Sequence, residues 1–374
     1  MKTILRTAVA AAVLFTLTVA GAQTLERSVS GVSATGVRWQ AQSMVVGVTS
    51  TATIAGGGNA IYQPSYPAAG GVVALIMRFP NGSFICSGTL MNDRQSILTA
   101  AHCVTGAGLT TPIATTAWFY GGPNGDTVVN GGGTPVAATQ YFVHPSYTGQ
   151  VVDHNDVAVI RLAAPAPAFA QSFGLYTQDL TGKDFNVWGY GRGSNTGGSV
   201  GANLGTGLLR QGDNRFDFRL GDTDFGTGWA TEFGAPFARI EHSWLSDFDN
   251  GLAANDAGCK SVNQVFGFAA NAKWCNLGRG ASEVGIAGGD SGGPGFIDGL
   301  VASISSYGAT YGAPAFGDVD TALNSSFGEF SGYVPVYLHA GFINAALIPE
   351  PGTYLMMALG LFGVGTVARR RKSA

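Results

Sequence analysis

Charge is the scarcest property of this chain. Only 11% of its 374 residues are Asp, Glu, Lys or Arg, against roughly 25% in soluble domains. The formal net charge is −3, so no basic face exists to hold nucleic acid, and that partner is excluded. Cysteine is scarce as well. There are four, with no CxxC pair among them, and this makes a metal reading of the cysteines weak. His144, His154, His242 and His339 stand far apart in the sequence and suggest no metal-ligand set. The acidic stretch Asp213 to Asp224 could hold calcium, and a solvated loop is the expectation. Long apolar runs are missing too. Tyr354 to Ala368 would span only about 22 Å as a helix, short of the roughly 30 Å hydrocarbon core. No phosphate-binding glycine loop is present, because Gly189-Tyr190-Gly191-Arg192-Gly193 lacks the required spacing. No cofactor is indicated, so any chemistry must come from side chains.

Glycine and apolar residues are abundant. The 57 glycines and the 45% hydrophobic content fit an all-β protein rich in loops better than a helical bundle. Met1 to Ala22 has the form of an export signal: Lys2 and Arg6, an apolar stretch from Ala8 to Val19, then Ala20-Gly21-Ala22. In an oxidising compartment the four cysteines favour disulfides. Cys86 with Cys103 and Cys259 with Cys275 is the simplest of the three connectivities, by proximity. Residues 23–53 show little periodicity and suggest a pro-segment or spacer. Val72 to Phe79 is a buried-strand run ended by the turn signal Pro80-Asn81-Gly82. Further strands are expected at Ser83–Leu90 and Gln95–Ala100, and short strands recur to about residue 340. That spacing argues for an all-β barrel or sandwich. Ala163 to Ala168 is a low-complexity connector between two β units, and Val336 to Ala346 is the one helical suggestion.

Three segments carry chemistry. Gly288-Gly289-Asp290-Ser291-Gly292-Gly293-Pro294 puts a serine on a tight turn. Such a turn exposes the hydroxyl and leaves backbone N–H groups free. A hydroxyl needs a base, and Leu98-Thr99-Ala100-Ala101-His102-Cys103 offers one. Imidazole changes charge between pH 5 and 8, which suits a general base and acid. Asn155-Asp156-Val157-Ala158-Val159-Ile160 offers a carboxylate to orient it. Asp153 is the rival, but the apolar run begins right after Asp156, and Asp153 is expected to be a solvated loop residue.

In that order, His102, Asp156 and Ser291 resemble the trypsin-like (chymotrypsin-family) serine endopeptidases. Val143-His144-Pro145-Ser146-Tyr147, Gly189-Tyr190-Gly191 and Ser306-Tyr307-Gly308 extend the likeness. The resemblance implies a catalytic domain over residues 54–347. Its fold would be two six-stranded antiparallel β-barrels with the active site in the cleft between them. It makes Ser291 the nucleophile, His102 the base and Asp156 its orienting acid. The N–H groups of Gly289 and Ser291 would form the oxyanion hole. Asp290 would pair with a new α-amino group at Ile54, where Ile54-Ala55-Gly56-Gly57 resembles the family's mature N-terminus; Ile61 is a second candidate. Thr53 precedes Ile54, so a trypsin-like activating cut does not fit. Gly285 would form the pocket base, with Ser306, Tyr307 and Gly308 in the wall and in the strand that pairs with substrate backbone. With no anion at Gly285, apolar or small side chains are expected at the cleavage site. The polypeptide would be hydrolysed through an acyl-enzyme. A catalytically inactive, surface-displayed binding module is the alternative. Residues 348–374 separately resemble the PEP-CTERM sorting signal, on Pro349-Glu350-Pro351, the apolar run and Arg369-Arg370-Arg371-Lys372. That resemblance implies transient membrane association, an exosortase-type processing partner, and delivery to the periplasm or cell surface.

Overall fold

The β-branched and aromatic runs form strands, and these gather into two antiparallel units that share a seam. The computed structural model describes residues 28–32, 38–42, 46–49, 60–65, 68–106, 110–122, 132–233, 239–269 and 272–347. The signal segment, Ile54 and the sorting tail lie outside the described residues.

Three short strands come first: β1 (Ser28–Val32), β2 (Arg38–Gln42) and β3 (Val46–Thr49). The first unit then comprises β4 (Val72–Phe79), β5 (Gly82–Leu90), β6 (Ser96–Thr99), β7 (Ala114–Phe119), β8 (Thr134–Val143) and β9 (Ala158–Leu162). It closes into a barrel in the order β4-β5-β6-β9-β8-β7. The expected turn after Phe79 closes the β4–β5 hairpin, with Phe79 opposite Gly82. β4 is buried along nearly its whole length, which is why it is a continuous apolar run. Burying each of Leu75 and Met77, both fully enclosed, stabilises the barrel by about 1.5–3 kcal/mol.

The second unit holds β10 (Asp184–Gly189), β11 (Arg192–Ser194), β12 (Arg210–Arg215), β13 (Phe218–Arg219), β14 (Trp244–Asp247), β15 (Pro294–Ile297), β16 (Leu300–Thr310) and β17 (Phe330–Pro335). Its pairing path is β12-β10-β15-β16-β17-β14-β13, a curled half-barrel sheet whose two end strands do not pair with each other. Three short helices accompany it: α1 (Gly228–Phe233), α2 (Ala257–Phe266) and α3 (Val336–Ala346). The last coincides with the helical suggestion in the sequence. α2 was not expected, and Asp256 caps it by accepting from the Cys259 N–H. Ala163 to Ala168 follows β9 and leads across to the second unit, as its composition suggests. Among the described residues no helix is long and apolar enough to cross a membrane.

The segment read as featureless, residues 23–53, contains β1, β2 and β3. β1 and β2 form a hairpin, Ser28 opposite Gln42 and Val32 opposite Arg38. β2 then joins β16 antiparallel, with Gly308 opposite Gln42, Ala309 opposite Ala41 and Thr310 opposite Gln40. β3 runs parallel to β11.

Candidate active site

The seam between the two units brings the three chemical segments together. β6 ends at Thr99, and the chain turns at once through Ala101–Val104, which places His102 at the barrel rim. Asp156 stands just before β9, the neighbour of β6. Ser291 comes from the loop that precedes β15 in the other unit. The His102 Nδ1 lies 2.6 Å from Asp156 Oδ2, and its Nε2 lies 2.5 Å from Ser291 Oγ. A carboxylate only accepts, so Nδ1 carries the ring proton and Nε2 accepts from the serine hydroxyl. Asp156 Oδ1 also accepts from the His102 backbone N–H at 2.8 Å, and Oδ2 from Ser306 Oγ at 2.6 Å. Burial works against the charge of Asp156. The neighbouring His102 and these hydrogen bonds outweigh it and hold the carboxyl below its ordinary range.

The loop around Ser291 is anchored from the first barrel by a residue that sequence reasoning missed. The Ser87 N–H donates to the Ser291 carbonyl at 2.8 Å. Its hydroxyl donates to the Gly289 carbonyl and accepts from the Tyr190 N–H, both at 2.9 Å. The Cys86–Cys103 disulfide ties the strand carrying Ser87 to the turn carrying His102. Gly289 adopts φ +110°, a conformation that L side chains avoid. A Cβ on Gly292 would lie 2.0 Å from Thr99 Oγ1, so only glycine lets the two units approach so closely there. Among the described residues the N–H groups of Gly289 and Ser291 donate to no protein acceptor.

Asp290 is buried behind this loop. It accepts from the Gly191 N–H at 2.7 Å and the Ala287 N–H at 3.1 Å, and burial pushes its carboxyl up to about 7. Gly285 is buried against the ring of Phe248. Ser306, expected in the pocket wall, turns its hydroxyl to Asp156 instead. Tyr307 is wholly enclosed, and its hydroxyl bonds Ser243 Oγ at 2.7 Å. Gly308 stands between β17 on one side and Gln42 on the other. The two disulfides are Cys86–Cys103 and Cys259–Cys275.

Two expectations need correction, on Asp153 and on Asp213 to Asp224, and the histidines show a grouping that the sequence did not announce. Asp153 is not solvated: it is fully buried and gathers the N–H groups of Thr148 and Asn155, organising the turn before Asp156. The scattered histidines are neighbours in space. His144 meets His339 at 4.8 Å between rings, His154 meets His242 at 4.9 Å, and the His339 Nε2 donates to the His154 carbonyl. Burial and the mutual proximity of these rings hold His154 and His339 down to about 4, so both are neutral near pH 7. The stretch Asp213 to Asp224 is not one loop either, since it contains β13 and the buried Asp217.

A two-unit β fold with a Ser-His-Asp hydrogen-bonded chain at its seam defines a class, the serine hydrolases of the two-barrel type. A model of the trypsin family matches residues 65–327, and the chain belongs to the trypsin family of serine endopeptidases. "Trypsin CFT-1" of Choristoneura fumiferana is 30% identical over 36% of this chain and 54% of its own length, so that match spans about half of the relative. "Trypsin, alkaline B" of Manduca sexta is 26% identical over 72% of this chain and 86% of its own. The solved structure of neuropsin, a serine protease expressed in the limbic system of mouse brain, aligns with TM-score 0.49 and 18% identity, over 77% of this chain and 99% of that one. Residues 347–372 match the PEP-CTERM protein-sorting motif, which marks an exported protein.

Proposed function

We propose that this chain is an exported endopeptidase in which Ser291 attacks the scissile carbonyl. His102 takes and returns the proton, and Asp156 fixes the ring tautomer. The observation that carries this is the unbroken hydrogen-bond chain from Ser291 Oγ through His102 to Asp156. The N–H groups of Gly289 and Ser291 serve as the oxyanion hole. Gly285 beside Phe248 leaves an uncharged pocket base, so cleavage follows apolar or small residues. Covalent labelling with a fluorophosphonate tests the reading. An adduct on Ser291, lost in Ser291→Ala, is expected. A folded, processed protein that takes no label would instead be a binding module on a protease fold.

Residues 1–22 act as the export signal, and an exosortase-type enzyme cuts near Pro349-Glu350-Pro351. Residues 23–53 act as the pro-segment, and two pairings support that. β2 runs from Thr310 toward Gly308, heading for Ser306 and the triad, and occupies the edge of β16 that an extended substrate would join. β3 pairs with β11, whose Arg192 N–H donates to the Gly288 carbonyl on the nucleophile loop. The segment therefore flanks the loop on both sides and keeps substrate out. Removal of it would free an α-amino group, at Ile54 or Ile61, to pair with Asp290. Ala41→Pro removes a ladder N–H from β2. It should raise hydrolysis by the unprocessed chain at least about 10-fold; an unchanged rate sinks the pro-segment reading.

A further inference from the structure

The loop leaving β14 carries Asp247-Phe248-Asp249-Asn250-Gly251 and ends at Asp256, the cap of α2. It folds against Glu283 and Asp217. The Asp249 N–H donates to Glu283 Oε2 at 2.8 Å, and the Asp247 N–H to Asp217 Oδ2 at 2.9 Å. None of these five carboxylates is more than 9% exposed. Arg215 and Arg279 make their direct ion pairs with Asp184, each at 2.6 Å, and neither forms an ion pair with any of the five. A cluster of this kind is strongly disfavoured without a counter-charge.

Two observations point to what supplies that charge. Asp247, Asp249 and Glu283 each present an oxygen, and the three lie within 4.8 Å of one another. That is about twice the 2.3–2.6 Å calcium–oxygen distance. Asp249 Oδ2 is completely buried and has no hydrogen-bond partner among the described residues. The second acidic group among the described residues differs on this point. The oxygens of Asp318, Asp320 and Glu329 are taken up by N–H and hydroxyl donors of their own loop, including those of Thr310, Thr321, Ala322, Ser325 and Ser326. That second group is a self-contained turn, whereas the first has an oxygen in want of a partner.

We propose that Asp247, Asp249 and Glu283 hold a divalent cation. The all-oxygen donor set and the three anionic ligands make it calcium, since magnesium demands tight octahedral geometry and keeps its waters. The ion joins three elements: the end of β14, the loop into α2, and the segment from Glu283 to Gly285. Phe248 sits between two of the ligands in sequence and packs on Gly285, so occupancy stiffens the wall behind the pocket base.

The test uses the full chain carrying Ser291→Ala, which prevents self-digestion, stripped with EDTA. Calcium titrated to about 10 mM, well above the 10⁻⁴–10⁻³ M range of extracellular sites, should bind at one site by calorimetry. It should also raise Tm by about 5–10 °C. Asp249→Asn should abolish both effects while leaving the near-UV circular dichroism of the stripped parent unchanged. That last readout separates a lost site from a damaged fold. A calcium shift no larger than that of matched magnesium, or one undiminished in both Asp249→Asn and Glu283→Gln, overturns the proposal. Neither result depends on whether Ser291 is the nucleophile.

Discussion

In the proposed mechanism His102 works on Ser291 only while its ring proton sits on Nδ1, where the contact with Asp156 Oδ2 keeps it. Asp156→Asn would let the ring adopt the other tautomer, and kcat should fall on the order of 10⁴-fold, read from steady-state kinetics. Ser306→Ala removes one donor from a buried carboxylate. Hydrogen bonds to charged groups contribute about 1.5–3 kcal/mol, so kcat/KM should drop about 10- to 100-fold with KM little changed. The same change should weaken acid resistance. Asp156 titrates below its ordinary range in the fold, so its contribution is present above about pH 4 and is lost as pH falls. Without Ser306 that loss should begin at higher pH in acid unfolding curves. The triad was legible because each member stands in its own short, distinctive segment. Ser87 and the turn of Ser306 toward Asp156 were not. Their partners lie 202 and 150 residues away along the chain, and nothing local to a serine announces such a contact.

Strands whose neighbours bury both faces declare themselves as apolar runs, and β4, β5 and β6 lie within a residue of where the sequence put them. β2 escaped notice for the opposite reason. Only Trp39 and Ala41 face inward in a five-residue strand, too short an alternation to stand out from a Ser- and Gly-rich stretch. The element that most affects the site is the disulfide-linked pair of β5 and the His102 turn. The Cys86–Cys103 bridge closes a loop of sequence separation 17, and a loop of that length stabilises by about 3 kcal/mol. Replacing both cysteines with alanine should lower unfolding stability by that order in denaturant titrations. Activity should fall further than stability alone accounts for, because Ser87 would no longer hold the Ser291 loop in register.

Across the molecule, buried carboxyls dominate the response to pH. Burial pushes Glu329 up to about 8 and Asp290 up to about 7, from 4.5 and 3.8 when unfolded. The fold therefore keeps protons that the unfolded chain releases, and stability falls as pH rises from about 4.5 toward 8. Thermal melts of the unprocessed Ser291→Ala chain should show that decline, and Glu329→Gln should flatten it. Processing should flatten it as well, since an α-amino group placed against Asp290 favours its charged form; an identical slope before and after processing would count against that pairing.

By itself the sequence determined the β class, the three segments whose Ser291, His102 and Asp156 meet at the seam, and the sorting tail, and it favoured by proximity the disulfide pairing that the structure shows. All of these are encoded in local pattern: glycines around a serine, strand-length apolar runs, cysteines close in the chain, an apolar stretch before arginines. Tertiary structure alone decided that the N-terminal strands lie along β16 and β11. It also decided that Ser87 anchors the loop carrying Ser291, that four distant histidines pack together, and that five acids share one buried site. Each of those depends on segments brought together only when the two units close. Side-chain contact across such distances is fixed by packing and burial of the whole, for which no window of residues holds the information.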